Sequence, residues 1–529
     1  MSYTKLTYLF LFLPIVIVLY NLIPQKHRWK VLLLASFAFF WSISGKLIIY
    51  LLVATVVTYL LGLWLNKKQE ERNKKLLEVE KDKKKEIKQQ YVKKQRKIIL
   101  LGVLVLIGLL VVLKYTNFFG TNINNLFEAL NINFKLSIPH FIMPIGISFY
   151  TLQAVSYLVD IYKEKFKADK NIGKIALFLS FFPVIMEGPI CRYDQVSEKL
   201  FAGERTNYKN LTFGAQRILF GLAKKILIVD RVNPFILEVF NNYSAYDGGM
   251  IALGMVLYTL QLYMDFSGTM DIVIGSAEIF GVKLPENFRQ PFFSKSISEF
   301  WLRWHITLGT WFRDYIYYPV SLTQKCKNIT SKMRKKVGNY YGPLIASAIA
   351  LFCVWISNGL WHGAAWSFIF FGMYHFVLIL LGRIIEPGVK KINEKFHINS
   401  KQLWYRIIQI VRTTILVFIG ELFFRANGLK AGFEMFGKMI SNFTFNSFGN
   451  GTAVSIGLDG HDFILIGVVV AVIFIIGLLK EKDINIRESI ASKKIVVRWA
   501  IYYALIISII VFGSYGLGIV PLDPMYANF

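Results

Sequence analysis

Apolar runs of nearly bilayer-spanning length alternate along this chain with short polar connections, and the alternation predicts its elements. Runs near residues 6–23, 31–45 and 47–65 each approach the roughly 20 residues a helix needs to cross a hydrocarbon core. No small-residue cleavage site separates the first run from the second, so it reads as a retained span, not a signal peptide. Further spans are predicted at 98–113 and 141–160. The stretch 175–320 breaks the pattern. Glu187, Gly188 and Pro189 fall inside an apolar segment, 183–193, where a helix should end or kink. Lys224 and Lys225 interrupt 211–230, and Asp265 and Asp271 interrupt 250–281. Charge and irregular backbone at such depth persist only where protein or a water-filled cavity surrounds them. The pattern therefore predicts an all-α polytopic membrane protein of about a dozen spans, with re-entrant segments lining a cavity.

The polar connections set the orientation. From Lys67 to Lys97 there are 14 Lys and Arg against 6 Asp and Glu, with too few apolar residues to build a core. This stretch reads as a basic cytoplasmic loop, helical or disordered, able to meet anionic lipid headgroups. With it placed inside, the basic connections at 24–30, 163–174, 325–336 and 390–401 also fall inside. The sparsely charged 44–46, 115–138 and 425–461 then fall outside, with both termini. One membrane domain over 1–529 is expected, its C-terminal extension, 425–529, carrying further spans.

Composition agrees with this class: 55% of the 529 residues are hydrophobic and 16% aromatic. The net charge of +28 sits in loops between apolar runs, which points to membrane lipid and away from nucleic acid. Cys191, Cys326 and Cys353 are scattered, so neither a disulfide framework nor a metal site is expected. No nucleophile elbow, phosphate loop or dinucleotide fingerprint is present.

Two stretches carry candidate chemistry. From Trp355 to Trp366, an imidazole stands in a sequence otherwise bound for lipid. On a helix, Asn358 and His362 share a face, and so do Gly359 and Gly363, placing a polar pair beside a close-packing pair. An ionisable side chain at membrane depth faces a cavity or a partner, and histidine is the side chain most easily tuned to move protons near neutrality. A bland alternative is a histidine hydrogen-bonded at a helix end. The second stretch runs from Glu299 to Tyr318. Trp301, His305, Leu308 and Phe312 follow helical spacing and form an aromatic face, with Arg303, Thr310 and Asp314 off it. An interfacial amphipathic helix explains most of these residues but not His305, which lies on the apolar face. The loop count puts His305 toward the cytoplasm and His362 toward the outside. His375 reads as a core residue, and His27, His397 and His461 lie in loops.

These residues also carry a resemblance. Met143 to Tyr150 with Asp160, Glu187 to Tyr193, Tyr263 to Gly268, Asn287 to Pro291, Phe300 to Tyr318 and Asn358 to Trp366 resemble, in order and spacing, the membrane-bound O-acyltransferases. They are most similar to the bacterial alginate O-acetyltransferase branch; Phe423 to Ala426 and the C-terminal extension are closer to it than to the shorter teichoic acid D-alanyl transfer protein. Glu187, where a small residue is expected, and the long basic stretch 67–97 depart from the pattern.

The resemblance implies a ring of tilted helices around a central tunnel in a bacterial plasma membrane. A cytoplasmic thioester donor, acetyl-CoA or another acyl thioester, would enter from one side, and an acceptor hydroxyl from the other. No bound cofactor or metal is implied. The acceptor would be an extracellular polysaccharide or a secreted or membrane-anchored acetyltransferase partner. His362 maps to the family's catalytic histidine and His305 to its second histidine. Asn358, Trp361, Trp304, Arg303, Asp265 and Glu187 are candidates for the tunnel wall, with Asn358 or a tryptophan N–H as oxyanion donors. D-alanyl transfer to teichoic acid and a transporter or flippase of envelope precursors are the competing readings. Repeated halves, usual in transporters, are absent.

Overall fold

The computed structural model describes residues 2–515, and apart from one isolated bridge its regular backbone is helical. Among the described residues, eight helical segments are long and apolar enough to cross a membrane. That is fewer than the apolar runs suggest: the helix Arg28–Ser44, 17 residues, is joined to Ile48–Glu78 by the short 3-10 turn Gly45–Leu47 with Gly45 at φ 51°, and Thr7–Leu22 falls short of the length required. The chain divides into two compact units, Met1–Ala215 with Val273–Pro285, and Gln216–Ile272 with Glu286–Phe529.

In the first unit, Ile48–Glu78 packs against Lys81–Ala129, Ile147–Tyr162 and Ile172–Ser180. Its core holds the rings of Tyr3, Tyr8, Phe39 and Phe182, and the two tyrosine hydroxyls are satisfied there. Tyr8 donates to Ser276 Oγ at 3.0 Å, and Tyr3 donates to the Phe182 carbonyl at 2.9 Å. The basic stretch 67–97 takes the helical of its two expected forms. It is the meeting of two helices, broken only at Val79 and Glu80, because Lys, Glu and Gln favour helix as long as the chain stays solvated. Lys81–Ala129, 49 residues and so about 74 Å long, also carries the expected 98–113 span on well beyond its predicted end. Arg72 pairs with Glu164 at 2.7 Å and holds that carboxyl below its usual range. The expected break around Glu187 is present: residues 181–192 have irregular backbone and are buried throughout.

In the second unit, the charges that interrupt two apolar runs are one another's partners. Lys224 Nζ lies 2.7 Å from Asp271 and 3.1 Å from Ser267 Oγ, while Arg217 joins Asp271 to Glu286 at 3.0 and 2.6 Å. Lys225 lies 3.1 Å from Asp265 and 3.3 Å from Asp230, all three buried. The helix through Lys224 widens to a π-turn over Lys225–Val229, a distortion often found at functional positions. The remaining long helices are Gln324–His362, kinked at Gly338, then Trp366–Lys395, Leu403–Arg425, Gly460–Glu481 and Ile495–Phe512.

Candidate active site

His362 is the last residue of the helix Gln324–His362, and Asn358 lies one turn earlier on the same face, as the spacing predicts. Gly363 leaves the helix in extended conformation, and the chain re-enters helix at Trp366. The two helices approach closely. A Cβ on Gly359 would lie 2.5 Å from the Phe368 carbonyl, and one on Gly372 would lie 2.4 Å from the Trp355 carbonyl. Glycine is therefore required where the backbones touch. This contact fixes His362 against the rings of Phe424 and Phe371, at centroid distances of 5.2 and 6.1 Å.

His305 reaches the same place by another route, and here one expectation is corrected. Residues 299–318 do not form one helix. Ile297–Arg303 ends before Trp304, and Ile306–Phe312 begins after His305, which takes the left-handed conformation at φ 47°, ψ 50°. Leu308 and Phe312 share a face of the second helix, but Trp301 and His305 do not lie on it. The break is held from outside the segment: Phe288 bridges Trp304, and the carbonyl of Asn287 accepts the N–H of Ile306 at 3.0 Å. His305 is buried, edge-on to Phe266 at 4.8 Å and 5.5 Å from the ring of Trp361. Trp361 in turn meets the ring of His362 at 5.0 Å. Two histidines 57 positions apart in sequence thus flank one tryptophan.

The structure also gives His375 a larger place than a core residue needs. It is buried among Phe371, Trp301 and Trp355, at 4.7, 4.9 and 5.5 Å, and neither ring nitrogen has a hydrogen-bond partner among the described residues. Trp301 Nε1, Asn358 Oδ1 and Glu421 Oε2 are likewise buried without a partner. Each such atom costs about 1–3 kcal/mol in a closed interior. Two of the residues concerned, Trp301 and His375, are in ring contact, and such a grouping is the signature of a place that takes polar atoms of a ligand. Nothing local in the sequence marks His375 or Glu421; only the helix packing brings His375 to the wall that holds His362.

The remaining predicted residues separate. Trp304 stacks on Phe300 at 5.4 Å and belongs to the wall next to His305. Arg303 is tied to Glu299 at 2.8 Å and Glu481 at 2.5 Å, two bracing ion pairs. Asp265 belongs to the Lys225 cluster, and Glu187 lies in the first unit.

A multi-pass helical protein with a buried histidine wall is the class this architecture defines. Comparison with known proteins carries it further. Residues 81–334 match the model of the membrane-bound O-acyltransferase family. The probable alginate O-acetylase AlgI of Pseudomonas syringae pv. tomato is 31% identical over 442 residues, 83% of this chain and 75% of that one. The peptidoglycan O-acetyltransferase of Helicobacter pylori is 27% identical over 82% of this chain and 78% of its own. The teichoic acid D-alanyltransferase of Bacillus subtilis is 32% identical over 53% and 68%. The chain belongs to the membrane-bound O-acyltransferase family, and it is an O-acyltransferase.

Proposed function

We propose that this protein transfers an acetyl group from a thioester donor, acetyl-CoA or a carrier-bound equivalent, to a hydroxyl of an envelope or extracellular polysaccharide, directly or through a secreted partner. The observation that carries the reading is the convergence of buried His305 and His362 on Trp361. His362 acts as general base. Its neutral imidazole takes the proton of the acceptor hydroxyl while the oxygen attacks the thioester carbonyl carbon. The oxyanion so formed collapses, the C–S bond breaks, and the proton passes from His362 to the departing thiolate. Trp301 Nε1 is a candidate donor to that oxyanion, since its N–H has no partner among the described residues. Similarity to two O-acetyl transfer proteins over more than four-fifths of the chain, against about half for the D-alanyl enzyme, favours acetyl.

The test is acetyl transfer by protein reconstituted with a labelled thioester and candidate polymers. His362→Gln keeps size and a hydrogen bond but loses the base, and should reduce transfer about a hundred- to ten-thousand-fold with donor binding intact. Near-normal transfer by His362→Gln would remove the base assignment.

A further inference from the structure

Asn287 is buried, and its side-chain oxygen accepts from the N–H of Thr307 at 3.1 Å and the Thr307 hydroxyl at 2.7 Å and lies 3.3 Å from His305 Nδ1. A backbone N–H can only donate, so the atom facing Thr307 is the oxygen and the amide orientation is fixed. An amide oxygen can only accept. The neutral His305 ring therefore carries its hydrogen on Nδ1 and its lone pair on Nε2. The Asn287 Nδ2 group is directed away, toward Met270 Sδ at 3.1 Å. The same residue stabilises the backbone: a non-glycine residue at φ 47° persists only where its surroundings over-determine it, and the Asn287 carbonyl and amide hold the two residues that follow.

We infer that Asn287 is a positioning residue of the transfer site, fixing His305 as the Nδ1–H tautomer so that Nε2 accepts a hydrogen bond. This rests on the transfer reaction proposed above for its catalytic meaning, though not for the tautomer itself. Held this way, neutral His305 offers the lone pair of Nε2 to an N–H or O–H donor. It does not donate to the thioester carbonyl oxygen, and oxyanion stabilisation falls to other groups.

Two measurements test it. Nitrogen-15 spectra of histidine-labelled protein in bilayers, with the His305 signals assigned by their loss in His305→Asn, should show a protonated Nδ1 and an unprotonated Nε2. A neutral ring protonated at Nε2 would overturn the inference without any substitution at Asn287. In the transfer assay, Asn287→Ala should lower kcat at least about tenfold with little change in donor KM. Asn287→Asp, which keeps the acceptor oxygen, should recover part of that loss. In a His305→Asn background, Asn287→Ala should cost no more than about twofold further. Equal losses in both backgrounds would make Asn287 a fold support only. A wild-type protein that transfers no acetyl group defeats the function reading instead, and leaves the spectra to decide the tautomer.

Discussion

Alanine at Gly359 adds one methyl group where two helix backbones touch. The added Cβ would lie 2.5 Å from the Phe368 carbonyl oxygen and 3.2 Å from Ile369 Cα, and ordinary contact begins at 3.4 Å. Backbone atoms have no rotamer to yield, so the helices Gln324–His362 and Trp366–Lys395 must part by about 1 Å. Gly372→Ala meets the Trp355 carbonyl at 2.4 Å and forces the same opening from the other side. His362 lies three residues beyond Gly359, and His375 three beyond Gly372, so the displacement goes directly into the site. A misplacement of about 1 Å can cost on the order of a hundredfold in rate, while overpacking costs about 1–3 kcal/mol of stability. The control is on the helix that carries Gly372: Gly382 is exposed with nothing within 4 Å of its added Cβ. Gly382→Ala should leave transfer unchanged and raise stability by up to about 1 kcal/mol. Acetyl transfer and thermal unfolding of the three variants in one detergent would compare them. Wild-type transfer and melting in Gly359→Ala would refute the claim that this crossing sets the position of His362.

Two further outcomes follow from the charges. Asp271→Leu leaves buried Lys224 with Ser267 as its polar partner, while Arg217 keeps Glu286, and should cost about 3–5 kcal/mol; adding Lys224→Met should restore most of that loss in an unfolding assay, and a double variant no better than the single would contradict the pairing. For orientation, a cysteine at exposed Lys84 should be shielded from a membrane-impermeant thiol reagent in intact cells, and one at exposed Asn450 labelled. The opposite order of labelling would reverse the sidedness inferred from the basic connections.

The two histidines were not equally legible, and the reason is where their partners lie. His362 is set by residues three and four positions away: Asn358 on its own face and Gly359 at the helix crossing are both visible in a window of a dozen residues. His305 is set by Asn287, eighteen residues upstream in another segment, so its neighbourhood alone suggested a continuous amphipathic helix. The period of Trp301, His305, Leu308 and Phe312 is helical, yet a backbone partner from elsewhere overrides it. The buried charges follow the same rule: the sequence locates Lys224, Lys225, Asp265 and Asp271 as interruptions, but only the register between two helices says which meets which. The basic stretch 67–97 is the reverse case, since its Lys, Glu and Gln favour from within the stretch the helical one of its two expected forms.

This difference bears on how the site should respond to change. A residue positioned by its own helix tolerates distant substitution as long as the helix crossing stands, so sensitivity around His362 should concentrate at Gly359 and Gly372. A residue held in a left-handed conformation by a second segment depends on every contact that holds it. Sensitivity around His305 should therefore extend to Asn287 and Thr307, and to the Phe288 and Trp304 pair that closes the break.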